Sequence, residues 1–479
     1  MKSALLVAAV AVLAGGAAAQ TVDAMWATNC QMCHGPQGKG GILNCPTLLT
    51  DDKFDEKLDK PFFDAISTGH PGTNMKGFEA KLSAEQRWAL VNYIRELQLK
   101  NIRASTSTVA APKAVDGVHT THLHAYRVED VVASGVATPW AIAFLPGGDS
   151  LITERAGKLG LLHNGTLGEP ITGTPDVFAH GQGGLMAVAI HPDYATNGWI
   201  YLSFSDPRGG SDGKTVAITK IIRGHITDGA WKDQEVIFAA QPEHYLSGDI
   251  HFGSRIVFGA KAPNGKRYTF FCIGERGRGE LAQDLSRPNG KVYRVYDDGT
   301  VPDDNPFVDK ADAYKAIWSY GHRNPQGLVM DHNGELFDTE HAPRGGDELN
   351  RITRGANYGW PVISFGINYN GTAFRLPWPA EGQNFTMPVT RFMPSIAACG
   401  LAECRGGAFP KWDGDLFAGG LAGNCVHRVR IRDGKLVERE EILFGMGRVR
   451  DVVCGPKGEL YIALNEPDKI VRLVPADKK

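Results

Sequence analysis

Cys30-Gln31-Met32-Cys33-His34 places two thiols two residues apart and a histidine directly behind them. Each thiol can add to a haem vinyl group, and the adjacent imidazole then lies beneath the iron, so the string reads as the covalent attachment site of a c-type haem. A thioredoxin-like pair or half of a zinc site shares the two thiols. The trailing His34, and the lack of a second CxxC, argue against both. Methionine opposite histidine raises the reduction potential and suits electron transfer. Met75, in the Gly/Pro-containing loop Thr68 to Met75, is the expected sixth ligand, with His70 as the alternative.

Further along, polar residues gather in four clusters. These are Gly181-Gln182-Gly183-Gly184, then His251-Phe252-Gly253-Ser254-Arg255, then Gly321 to Gly327 with Glu340 to Glu348, and Arg448-Val449-Arg450-Asp451. A histidine among them can take a proton near neutral pH. Arginines on the same face can hold a carboxylate bidentately. The carbonyls and carboxylates from Ala342 to Glu348 have the hard oxygen character that Ca²⁺ prefers. Taken singly, each is also an ordinary loop residue. Together they fit a multiply carboxylated quinone, a calcium ion and a histidine base.

The elements that must position these residues fall into two regions. Residues 1–19 have a basic start, an apolar stretch and an Ala17-Ala18-Ala19 end, the pattern of a secretory signal peptide. The apolar stretch is short for a membrane span. A soluble, exported protein, periplasmic or secreted, is expected. The formal net charge of -2 gives no hint of nucleic acid or anionic membrane as a partner. Residues 20–100 form the haem region, whose helix-like run from Ser83 to Leu97 has an N-cap signal at Ser83 and apolar residues Trp88, Val91, Ile94 and Leu97 at helical spacing. Residues 101–125 read as a linker rich in small residues.

From residue 126 to 479 a strand, a Pro/Gly/Asn/Asp turn and a second strand recur six times. The first strands begin at Pro139, Leu185, Arg255, Gly327, Gly407 and Asp451. Radial repetition of small antiparallel sheets predicts a six-bladed β-propeller, with a double-sheet sandwich as the alternative. The expected fold is thus mainly β, preceded by a small all-α domain. Of eight cysteines, Cys399 and Cys404 flank a short segment that a disulfide could close, and Cys425 and Cys454 are a second candidate pair. Cys45 and Cys272 are expected as buried thiols.

The order of loop and helix after His34 resembles small class I cytochromes c. Residues from about 130 to 475 resemble the soluble PQQ-dependent sugar dehydrogenases, the group that includes glucose, aldose sugar and sorbosone dehydrogenase-like proteins. The strings that carry this are Gly321-His322-Arg323-Asn324-Pro325-Gln326-Gly327, Asn357-Tyr358-Gly359-Trp360-Pro361, His251 to Arg255 and Arg448 to Asp451, in that family's order. The resemblance implies that His251 takes the proton from the sugar's anomeric hydroxyl, Arg323 stabilises charge at the quinone oxygen, and Gln182 contacts the sugar or the reacting quinone edge. It further implies that Asn324, Arg448 and Arg450 hold PQQ, and that the carbonyls of Ala342 and Pro343 bind its Ca²⁺. Asp347, Glu348 and Tyr358 resemble a second, structural calcium site. Two departures stand out: Ile250 precedes the histidine where glucose-oxidising members have aspartate, with Asp249 one place removed, and a PQQ-binding lysine is replaced near Ala422, which would weaken carboxylate binding or move that job to Arg428. The expected function is sugar oxidation, with electrons leaving through haem c to an external acceptor. A calcium-dependent propeller lactonase and a non-catalytic binding propeller are the competing expectations.

Overall fold

A computed structural model describes residues 20–41, 45–104, 114 and 116–476. The signal peptide expected at 1–19 and most of the chain between 105 and 115 lie outside the described residues. The haem region folds as helices α1 (Val22–Asn29), α2 (Gln31–His34), α3 (Asp59–Thr68) and α4 (Ala84–Ala104). Ser83 and Gln86 cap α4 reciprocally: the Gln86 N–H donates to Ser83 Oγ (3.2 Å) and the Ser83 N–H to Gln86 Oε1 (2.9 Å). The helix runs on to Ala104, well past Leu97 and into the segment expected to be linker. It continues because its polar residues are buried too. Arg95 donates to Asp59 Oδ1 (2.6 Å) and to the Lys53 carbonyl (2.6 Å), while Gln98 donates to the Leu48 carbonyl (2.7 Å).

Residues 119–476 form six antiparallel sheets arranged as propeller blades. Their inner strands are Pro139–Phe144, Leu185–Ile190, Ile256–Lys261, Pro325–Met330, Ala398–Cys404 and Arg448–Cys454. Blade 6 closes the ring, because its strand Lys469–Ala476 pairs with the early strand Ala125–Val132. The first and last segments of the propeller are thereby hydrogen-bonded into one sheet, which closes the ring.

The fifth repeat is displaced from its expected position. Gly407 to Phe409 lies in a turn, and the inner strand of blade 5 is Ala398–Cys404. Gly406 at φ +118° and Pro410 interrupt the backbone on either side, and buried Phe409 stacks on Trp412 instead (centroids 4.4 Å apart). The cysteine assignments change with it. Cys399 and Cys404 sit five residues apart along one extended strand, which separates their sulfurs beyond bonding reach. Cys425 lies by Glu441, whereas Cys454 faces Cys404 across the blade 5–6 boundary. Neither expected pairing is formed.

The helical domain is seated on blades 4 and 5. Trp88 Nε1 (2.8 Å) and Asn92 Nδ2 (3.0 Å) both donate to the Phe365 carbonyl, and Glu96 receives Arg344 through two bonds of 2.7 and 2.6 Å. Arg391 pairs with Asp59, and Arg103 with Glu441 (2.7 Å). Val22, Met25 and Trp88 share one apolar cluster with Phe365, Ile367 and Met393. A Cβ on Gly345 would lie 2.3 Å from Asn92 Oδ1, so only glycine lets this loop approach α4 so closely.

Candidate functional site

His251, Gln182, Arg323 and Asn324, on segments just ahead of three inner strands, meet Arg448 and Arg450, at the start of the inner strand of blade 6, at one mouth of the central channel. His251 has φ 56°, a left-handed conformation that costs a non-glycine residue about 1–3 kcal/mol and is held only by its surroundings. Its N–H donates to Gln182 Oε1 (2.7 Å), and its carbonyl accepts the Arg276 N–H (3.2 Å). Beneath it, a Cβ on Gly274 would come within 2.4 Å of the His251 carbonyl oxygen. Gln182 therefore positions the histidine as well as facing the mouth.

The His251 Nδ1 is hydrogen-bonded to Glu275, a residue that sequence reasoning did not single out. A carboxylate can only accept here, so Nδ1 carries the proton and Nε2 keeps its lone pair. Burial and then the Arg323 charge hold the imidazole below its ordinary value of 6.5, against the upward pull of Glu275. The ring is thus a neutral base at pH 7. Glu275 in turn donates its N–H to the Arg323 carbonyl (2.9 Å), which ties the base to the cation. Asp249, near the expected place of the family aspartate, lies under Gly181, and its backbone carbonyl accepts the Gln182 N–H (2.7 Å).

Arg323 is buried, with its N–H on Glu340 Oε2 (2.7 Å) and its Nη1 on the carbonyls of His341 (3.1 Å) and Ala342 (3.0 Å). Arg450 reaches Gln326 Oε1 (3.3 Å) and Asn465 Oδ1 (3.3 Å). Asn324 uses its Oδ1 to accept the Gly253 N–H (3.0 Å), which leaves Nδ2 buried without a partner among the described residues. His341 Nε2 and Arg323 Nε are likewise unpartnered. His341 is held well below 6.5, by burial first and then by Arg323, His251, Arg450 and Arg448. Buried donors left open beside several arginines fit a polyanionic, carbonyl-bearing cofactor such as PQQ. His341 and Gln326, marked in the sequence only as members of their strings, join this set.

The loop after Glu340 is pinned by Asp347. Its Oδ1 accepts the Ala342 N–H (3.0 Å) and the Ser395 hydroxyl (2.7 Å), and its Oδ2 the Ala398 N–H (2.9 Å). Asp347 thereby anchors the backbone that carries Ala342 and Pro343. The Tyr358 hydroxyl is also in use, donating to the Arg351 carbonyl (2.6 Å). Glu348, Tyr358, Glu340 and Ala342 nevertheless line one cavity with Arg323. Asp338 is buried beside it with Oδ2 3.6 Å from His322 Nδ1, and burial with Glu340 pushes the carboxyls of Asp338 and Glu348 well above the usual range. Crowded acids of this kind fit a divalent cation.

Arg428 does not replace the missing lysine. It is fully buried in blade 5 among Asp415, Glu438 and Glu440, which already balance its charge. The cation that reaches the Ala422 loop is Arg103 of α4, 3.5 Å from the Gly423 carbonyl.

In the helical domain Cys30, Cys33 and His34 are half-buried, with both thiols free. Cys30 and Met75 pack against the same apolar cluster, while His70 is exposed. Two free thiols followed by a histidine, with Cys30 and the Met75 thioether on one apolar core, fit covalent haem. Cys45, expected as a buried thiol, is half-buried with Sγ 3.2 Å from His34 Nδ1. Among the described residues no helix is long and apolar enough to cross a membrane.

Residues 136–472 match the family model described as glucose/sorbosone dehydrogenase, and residues 17–94 that of cbb3-type cytochrome c oxidase subunit III. The aldose sugar dehydrogenase YliI of Escherichia coli is 41% identical over 346 residues, covering 70% of this chain and 90% of that protein. Quinoprotein glucose dehydrogenase B of Acinetobacter calcoaceticus is 31% identical, over 60% of this chain and 62% of its own length. The crystal structure of the apo E. coli aldose sugar dehydrogenase superposes with a TM-score of 0.67 at 39% identity, covering 73% of this chain and 100% of that one. The PQQ-bound aldose sugar dehydrogenase of Streptomyces coelicolor does so with 0.58 at 27%, covering 76% and 99%. The chain belongs to the glucose/sorbosone dehydrogenase family, its propeller joined to an N-terminal cytochrome c domain.

Proposed function

We propose that this protein is an exported quinohaemoprotein that oxidises aldose-type sugars at the propeller and discharges single electrons through haem c to an external acceptor. The observation that carries the reading is the His251–Glu275 pair beside Arg323, Arg448 and Arg450, in a chain whose docked helical domain bears Cys30, Cys33 and His34. Asn324, His341, Arg448 and Arg450 would hold PQQ, and the carbonyls of Ala342 and Pro343 its Ca²⁺. When bound, PQQ accepts the hydride equivalent, with Ca²⁺ as Lewis acid. His251 Nε2 takes the hydroxyl proton of the sugar, because Glu275 fixes the tautomer and burial keeps the ring neutral. Arg323 offers a fixed positive charge where negative charge develops, at no cost in reorganisation. Glu348 and Tyr358, with Asp347 as the anchor of the loop, would frame a second calcium site.

The relatives' names as aldose and glucose dehydrogenases support the substrate class. The test is anaerobic addition of an aldose panel to the haem-bearing chain loaded with Ca²⁺ and PQQ. Haem bands should shift to the reduced form, and His251→Ala should abolish the shift. Lactone hydrolysis without haem reduction would instead make it a calcium-dependent hydrolase, and failure to take up PQQ would make it a binding propeller.

A further inference from the structure

We infer that Cys404 and Cys454 form a disulfide that staples blade 5 to blade 6 at the end of the channel away from the arginines. Their sulfurs lie 2.8 Å apart, inside ordinary non-bonded contact between two sulfurs. Each is the last residue of an inner strand, Ala398–Cys404 and Arg448–Cys454, and these two strands pack side by side. The two thiols thus occupy equivalent positions on adjoining blades, where side chains from parallel-running strands meet.

No other cysteine outside the haem motif is placed for the same chemistry. Cys399 donates to the Arg450 carbonyl (2.9 Å), Cys425 contacts Glu441, Cys272 is buried under the Pro325 carbonyl (3.2 Å), and Cys45 adjoins His34. Cys404 is buried, but Cys454 is partly open, so an oxidant can reach one of the two sulfurs. The hydrogen bond from Cys404 also pulls the Cys454 thiol below its usual range, which favours the thiolate that starts exchange.

The bond forms by exchange with a dithiol–disulfide oxidoreductase of an oxidising compartment. The Cys454 thiolate attacks that protein's disulfide and forms a mixed disulfide. Cys404 attacks the Cys454 sulfur of that mixed disulfide and expels the oxidoreductase's thiolate, so one S–S bond replaces another, and the two protons and two electrons of the cysteines leave on the oxidoreductase as its dithiol. The same strands are already braced at the other end, where Cys399 meets the Arg450 carbonyl. The staple would fix both ends of the pair of strands that present Arg448 and Arg450 to the channel mouth.

The inference rests on export, not on the sugar chemistry, and its test needs no substrate. Haem-bearing protein with Gln20 at its N-terminus is unfolded without reductant, alkylated, digested and weighed. The peptides containing Cys404 and Cys454 should travel as one linked species that only reduction separates, while those containing Cys399 and Cys425 are alkylated at once. The Cys404→Ser/Cys454→Ser double variant should unfold several degrees lower than the oxidised wild type and match wild type held in reductant. Ready alkylation of both cysteines in the exported protein, linkage of either to a different cysteine, or equal unfolding temperatures would overturn the proposal.

Discussion

His251 illustrates how much of a base's behaviour is set by residues that the sequence does not mark. The string from His251 to Arg255 identifies the base, but its partner Glu275 lies 24 residues on, in a loop of the same blade that shows only a glycine-flanked Glu-Arg pair. Distance along the chain hides such a partner, and folding reveals it. Glu275→Gln should keep the geometry but replace an acceptor-only carboxylate with an amide that can also donate to Nδ1, so the Nδ1–H tautomer is no longer enforced and kcat for sugar oxidation falls by roughly a hundredfold. Because burial and Arg323 already hold the ring below 6.5, wild-type activity should fall only on the acid side of that value. Removing the carboxylate takes away the one influence that raises this pKa, so the acid limb of the variant's pH profile should move to lower pH. An acid limb that moves upward would contradict the role given to Glu275.

At the scale of single elements, the loop from Glu340 to Asp347 owes its shape to one buried carboxylate. Asp347→Ala would leave the N–H groups of Ala342 and Ala398 and the Ser395 hydroxyl without their acceptor, at a cost of about 3 kcal/mol in unfolding free energy. Chemical denaturation should show this loss even in protein without PQQ. The sequence marked this loop as functional by its strings and its hard oxygen atoms and read Asp347 as a metal ligand, without showing that it also anchors the backbone. Residue type cannot tell an anchor from a ligand, since both use the same oxygens. The blades were legible for a simpler reason: Pro/Gly/Asn/Asp turns at regular places announce hairpins. Blade 5 was misplaced because its true inner strand, Ala398 to Cys404, is built largely of small residues, while Gly407-Ala408-Phe409 offers a more apolar decoy beside the turn. The arginine proposed to replace the missing lysine failed likewise, since Arg428 is balanced by acids that arrive from other strands.

For the whole molecule, the decisive feature is that helix α4 touches the same loop that carries Ala342 and Pro343. Arg344 is the next residue, and its two bonds to Glu96 join the propeller's channel mouth to the haem domain. One turn before Glu96 on α4, Tyr93 packs on Trp26 (5.4 Å between centroids) and Trp26 on His34 (6.0 Å), so packed groups run from the domain boundary to the haem motif. The sequence, which showed a linker between two regions, could not reveal that they share an apolar cluster. If this seating is the pose in which electrons cross, disturbing it should separate the two half-reactions. Glu96→Arg sets two cations against each other and should weaken docking by about 1–2 kcal/mol, a loss that the double exchange Glu96→Arg/Arg344→Glu recovers. Hydrogen exchange should show the matching change at α4, whose Trp88 and Asn92 hold the Phe365 carbonyl. In stopped-flow mixing with sugar, quinone absorbance in the single variant should bleach at the wild-type rate while haem reduction lags, and the double exchange should close the gap. Equal haem reduction rates in all three proteins, despite loosened docking, would mean that electrons leave by another route.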